Sequence, residues 1–113
     1  MVEILEYNDQ FDGSPFHDWF KKLNTDAARK VTTAIYRVGH GNFSNVKSVG
    51  SGVFECKIDF GPGYRVYFGK DGERIVILLG GGTKQRQQND IRQAIDRWED
   101  TSRERSSRKE GTE

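Results

Sequence analysis

A chain of 113 residues with a formal net charge of +1 and a single cysteine has the size of one domain with one modest core. Its charge shows none of the bulk basic excess of a non-specific nucleic-acid binder, and Cys56 alone excludes a disulfide framework or a multi-cysteine metal cluster. Removing residues 99–113 leaves 14 basic against 12 acidic residues, so any cationic site must be local.

The longest apolar run, Ile75 to Leu79, is far short of the roughly 20 residues of a membrane span. No charged-then-apolar signal region opens the chain. The expectation is a cytoplasmic protein in a reducing compartment, with no membrane partner.

In chain order, Val2, Ile4 and Leu5 before Tyr7 read as a first strand, closed by the polar cluster Asn8 to Gly13. Ser14-Pro15 is a helix start, because serine can cap free N–H groups and proline at the first helical position gives up no needed donor. Phe16, Trp19, Phe20 and Leu23 follow at helical spacing. Asn24 to Asp26 interrupt them and cap a second stripe of Ala27, Ala28, Val31, Ala34, Ile35 and Val38, stopped by Gly39 and Gly41. Together these form a helical hairpin with apolar faces for a sheet.

Asn42 to Gly52 read as a polar connection, after which the period changes to two. Phe54, Cys56 and Ile58 oppose Glu55 and Lys57; beyond "DFGPG", Tyr64, Val66 and Phe68 oppose Arg65 and Tyr67. That alternation predicts a hairpin with one wet face. "RIVILL", after an Asp-Gly turn, reads as a central strand ended by "GGGTK". Ile91, Ala94, Ile95 and Trp98 predict a last amphipathic helix. The fold class is therefore α+β: an N-terminal strand, a helical hairpin, a three-strand antiparallel meander and a C-terminal helix. One domain spans 1–98, with residues 99–113 a polar, flexible tail.

Glu55, Lys57, Arg65 and Tyr67 share one hairpin face, with Lys84 just past the third meander strand and Asp90 opening the helix. Two readings stand: a solvated face with cross-strand pairs such as Glu55 with Arg65, worth under about 1 kcal/mol each, or a convergent chemical site. His17 in a helical stripe and His40 in a glycine turn lack a partner at metal-ligand spacing. Trp19 and Trp98 read as helix–sheet contacts and Cys56 as a buried thiol. "GGGTK" lacks the spacing of a phosphate-binding P-loop. No motif calls for a cofactor or a metal.

"GVFECKIDFGPGYRVYF" followed by "ILLGGGTKQRQQNDI" resembles the addiction-module killer proteins of the RelE/ParE toxin superfamily, HigB-like members of type II toxin–antitoxin modules. These show a G-P-G-Y-R-V-Y-F-like hairpin and a later G-G-x-K-x-x-Q-x-x-D-I run, met here by Gly81, Gly82, Lys84, Gln87, Asp90 and Ile91. Thr83 stands where an acidic residue is common, and Lys57 where arginine is.

The resemblance implies an mRNA endoribonuclease that inhibits translation on ribosome-bound message. Lys57, Arg65, Lys84, Glu55 and Asp90 would be its catalytic residues, and Tyr67, Arg86 and Gln87 its RNA contacts. The RelE last-helix tyrosine has no counterpart near Asp90, leaving its work to Tyr67 or Asp90. Implied partners are a helix-turn-helix antitoxin, mRNA and the ribosome, with operator DNA reached only through the antitoxin. The ParE branch implies instead a gyrase poison without nuclease activity, and an inactive antitoxin-binding relative is a third reading.

Overall fold

A computed structural model describes the backbone of residues 2–111 and the side chains of residues 2–105. Five strands, β1 (Glu3–Glu6), β2 (Val46–Gly50), β3 (Val53–Ile58), β4 (Tyr64–Asp71) and β5 (Ile75–Thr83), lie in the order β1-β5-β4-β3-β2. Neighbours β2 to β5 pair antiparallel, and β1 pairs parallel with β5, Glu3 opposite Ile75 and Glu6 opposite Leu78. The chain is thus a mixed α+β fold, with "RIVILL" inside the sheet as its apolar run requires.

Helices cover both faces. On one lie α1 (Pro15–Phe20) and α2 (Thr25–Gly39), each started as its sequence directs. The Ser14 hydroxyl accepts from the His17 N–H at 3.0 Å, and the Asn24 side-chain oxygen accepts from the Ala27 N–H at 2.8 Å. Their Phe16, Ala27, Val31 and Val38 bury against Cys56, Ile58, Tyr64, Val66, Phe68, Val76 and Leu78. On the other face α3 (Gln87–Gly111) follows a short 3-10 turn, η1 (Lys84–Arg86), and brings Ala94 with Ile91, Ile95 and Trp98 onto Val53, Tyr67, Ile77 and Leu79. Fully burying an aliphatic side chain of this kind is worth about 1.5–3 kcal/mol, so both faces contribute core.

Four sequence expectations need correction. The polar connection at 42–52 contains β2: Val46 pairs with Cys56 and Lys47 with Glu55. Its alternation is hidden because Lys47, Ser48 and Gly50 are exposed on an edge strand. Second, "GGG" does not end β5 but lies inside it, and glycine is demanded there by close approach. A Cβ on Gly81 would overlap the Trp19 ring, one on Gly82 the Asp90 carboxylate, and one on Gly80 would sit 2.8 Å from Arg97 Nη1.

Third, the face carrying Glu55, Arg65 and Tyr67 is not wet. Alternation reports which residues share a face, and α3 with η1 covers that face, leaving Glu55 and Tyr67 each 1% and Arg65 6% exposed. Fourth, α3 continues past Trp98 to Gly111. The helix beyond Trp98 is tied to the sheet side by polar contacts: the Tyr7 hydroxyl donates to Asp100 Oδ2 at 2.9 Å and Arg105 pairs with Asp71, while Thr101 is buried with its hydroxyl donating to the Arg97 carbonyl of the same helix at 3.0 Å. Residues 112–113 of the expected tail lie outside the described residues. Among the described residues no helix is long and apolar enough to cross a membrane.

Candidate phosphate-binding cleft

The β3–β4 hairpin turns through Asp59-Phe60-Gly61-Pro62-Gly63, and the turn needs both glycines, since Gly61 (φ 57°) and Gly63 (φ 84°) occupy the left-handed region. Phe60 is anchored from outside the hairpin by Lys30 of α2, whose Nζ lies 5.5 Å from the ring centre. Between this turn, the start of β4 and η1 lies a cleft of ≈ 320 Å³ lined by Lys57, Asp59, residues 60–63, Arg65 and Lys84. Three cations therefore surround one cleft in a chain of almost no net charge.

Each arrives by a different route. Lys57 and Arg65 are cross-strand partners in the β3–β4 register. Lys84 is delivered by the 3-10 turn that β5 runs into. Lys57 keeps a side chain 54% exposed, with Nζ 3.6 Å from Asp59 Oδ1 at the cleft mouth. Lys84 is exposed.

Arg65 differs in kind. Its side chain is 8% exposed, and Nε lies 3.7 Å from Glu55 Oε1, an ion pair too long to be a hydrogen bond. Nε and Nη1 are buried with no hydrogen-bond partner. An always-charged guanidinium with unpaired donors in a cleft is complementary to an anion with several oxygens, above all a phosphate.

The other expected site residues stand around this cleft rather than in it. Glu55 lies behind Arg65, opposite Tyr67 in the register, and accepts a hydrogen bond from Gln87 Nε2 at 2.9 Å. The Glu55–Arg65 pair is consequently diagonal and buried, not the exposed cross-strand pair expected from alternation. The Tyr67 hydroxyl is buried without a hydrogen-bond partner of good geometry, and burial, with the Glu55 carboxylate beside it, pushes its pKa up. It is a poor proton donor or acceptor near neutrality.

Asp90 sits over Gly82 on the α3 face, its pKa raised by burial and partly drawn back by Arg86 and Arg97. Arg86 and Gln87 line, with Lys84, Gln85, Gln88 and Asn89, a neighbouring cleft of ≈ 460 Å³ that shares Lys84 with the first. The two clefts meet at Lys84.

Sequence reasoning overlooked Asp59 and Arg97. Asp59 belongs to the turn, where an acidic residue is ordinary, yet it supplies the one carboxylate of the cleft lining. Arg97 reads as a helix surface residue but lies over Gly80, with Nη1 donating to the Leu79 carbonyl at 2.9 Å. Gly80 itself is the signal, since a strand glycine can mark a close approach. Among the described residues no group of three His, Cys, Asp or Glu side chains is arranged to hold a metal ion.

Comparison with known proteins places residues 18–100 on the model of the family described as "Phage derived protein Gp49-like (DUF891)". An uncharacterized protein of Haemophilus influenzae is 48% identical over 80 residues, which cover 70% of this chain and 81% of that protein. The matched segment runs from α1 through the cleft to Asp100 in α3, so the chain belongs to the Gp49-like family of phage-derived proteins.

Proposed function

We propose that the chain is the toxin of a type II toxin–antitoxin module and acts as an endoribonuclease on ribosome-bound mRNA. The observation that carries this reading is the cleft of Lys57, Arg65 and Lys84, with the buried Arg65 Nε and Nη1 unpaired. The resemblance of the "GPGYRVYF" hairpin and the "GGTKQRQQNDI" run to RelE-like toxins supports it.

In this reading the ribose 2′-hydroxyl attacks the adjacent phosphorus, the bond from phosphorus to O5′ breaks, and the products carry a 2′,3′-cyclic phosphate and a 5′-hydroxyl. Charge gathers on the non-bridging oxygens as the fifth oxygen joins phosphorus. Arg65 lines the cleft and brings to that charge a guanidinium that stays protonated. Asp59 is the cleft's carboxylate for accepting the 2′ proton, and the ammonium groups of Lys57 and Lys84 are its donors for the departing 5′ oxygen. The adjoining surface of Arg86, Gln87 and Asn89 extends the path for the RNA strand.

Such a protein requires a partner that keeps it inactive, a helix-turn-helix antitoxin that also carries the pair to operator DNA. The test is product chemistry. Purified chain added to ribosomes programmed with a defined message should release fragments ending in 2′,3′-cyclic phosphate and beginning with a 5′-hydroxyl. A message with 2′-deoxyribose at the cut position should resist. Cutting of the deoxy message would overturn the mechanism; growth arrest with DNA breaks and intact message would instead identify a gyrase poison.

A further inference from the structure

We propose that Glu55 is a positioning residue that holds both cationic walls of the cleft, Arg65 directly and the Lys84 turn through Gln87. The catalytic consequence rests on the nuclease reading above, whereas the linkage rests on geometry. Glu55 is 1% exposed and does not line the cleft, so it meets no substrate there. Its two oxygens are divided between the walls. Oε2 accepts from Gln87 Nε2 at 2.9 Å, while Oε1 lies 3.7 Å from Arg65 Nε and 3.7 Å from Lys47 Nζ.

Gln87 is the first residue of α3 and directly follows the turn that carries Lys84. That turn receives no side-chain cap from Thr83. The Gln87–Glu55 bond thus ties the turn to β3, the strand beside Arg65. Glu55 approaches Arg65 at Nε and makes no hydrogen bond to Nη1, which is buried without a partner. A neutral amide at this position would still accept from Gln87 but would leave the buried guanidinium without its neighbouring counter-charge. Lys47, on the edge strand with a side chain 67% exposed, approaches Glu55 from outside the cleft and balances its charge.

The test reads Arg65 itself in the full chain. In proton–nitrogen spectra of arginine side chains, the wild-type Arg65 Nε–H, assigned by its disappearance in Arg65→Lys, should exchange slowly with water. In Glu55→Gln it should exchange at least about tenfold faster, as a group released from local protection does. On programmed ribosomes Glu55→Gln should lower kcat roughly 100-fold and change KM less than about threefold. Lys47→Ala, which removes only the outer counter-charge of Glu55, should lower kcat far less than Glu55→Gln does.

Unchanged exchange and unchanged kcat in Glu55→Gln would overturn the proposal, as would fast exchange of this N–H in the wild type. Should the wild type cleave nothing, the nuclease reading falls while the exchange comparison still decides whether Glu55 holds Arg65. If Glu55→Gln does not fold, Gln87→Ala takes its place. It should keep the Arg65 N–H slow yet speed exchange of the backbone N–H groups of the 84–86 turn several-fold, and unchanged exchange there would remove the Lys84 arm of the proposal.

Discussion

Arg65 is the residue on which the account turns, because it combines near-complete burial with two guanidinium nitrogens that have no hydrogen-bond partner. Buried donors left unpaired are costly, and a site that binds an anion gives a reason to retain them. Arg65→Ala should reduce cleavage roughly 100- to 1,000-fold, the loss expected when a donor to a developing oxyanion is removed. It should also lower stability by about 3 kcal/mol by stranding Glu55, which chemical denaturation would detect. Arg65→Lys keeps the charge without the planar fork, so it should recover most of the stability but little of the rate.

Asp90 offers a second check at the same scale. Its folded pKa is raised by burial, so the folded state holds the proton more tightly than the unfolded chain does. Stability is then lost as pH rises through the interval from about 3.9, the ordinary aspartate value, to the raised folded pKa. Asp90→Asn should melt above the wild type at neutral pH, with the gap shrinking as the solution is acidified toward about pH 3. A gap that widened in acid would show that Arg86 and Arg97 outweigh the burial.

At the scale of elements, the contacts between helices and glycines fix how α1 and α3 sit on the sheet. Trp19 occupies the space above Gly81 and Trp98 that above Gly69. Alanine at either glycine must displace an indole ring in a filled core, so Gly81→Ala and Gly69→Ala should each cost about 2 kcal/mol, read as a lower denaturation midpoint. The sequence announces such contacts only in part. Phe16, Trp19, Ala27 and Val31 recur at helical spacing and so reveal α1 and α2, and the alternation of Phe54, Cys56, Val66 and Phe68 reveals the hairpin.

The burial of Glu55 and Tyr67 was illegible, because it depends on α3 folding back over strands that precede it in the chain by roughly a helix length. The continuation of α3 beyond Trp98 was hidden as well, since Asp100 and Arg105 hold it through polar contacts with Tyr7 and Asp71 rather than an apolar stripe. Removing residues 99–113 should therefore lower the thermal midpoint by several degrees. An unchanged midpoint would show that those contacts add nothing.

Across the whole molecule, a net charge near zero conceals an uneven surface. Lys57, Arg65 and Lys84 meet at the hairpin end of the sheet, while Glu6, Asp9 and Asp12 line a separate cleft of ≈ 370 Å³ beside β1. The same three cations that composition could not reveal were legible as positions in a motif, and their convergence follows from the β3–β4 register and the turn after β5. The central claim is that this cleft cuts message during translation. The most direct measurement is a map of mRNA 5′ ends in cells after brief induction of the wild type or Arg65→Ala, with growth followed in parallel. New ends inside translated frames and growth arrest are expected with the wild type, both absent with Arg65→Ala; arrest by the wild type without new ends would rule out cleavage as its cause.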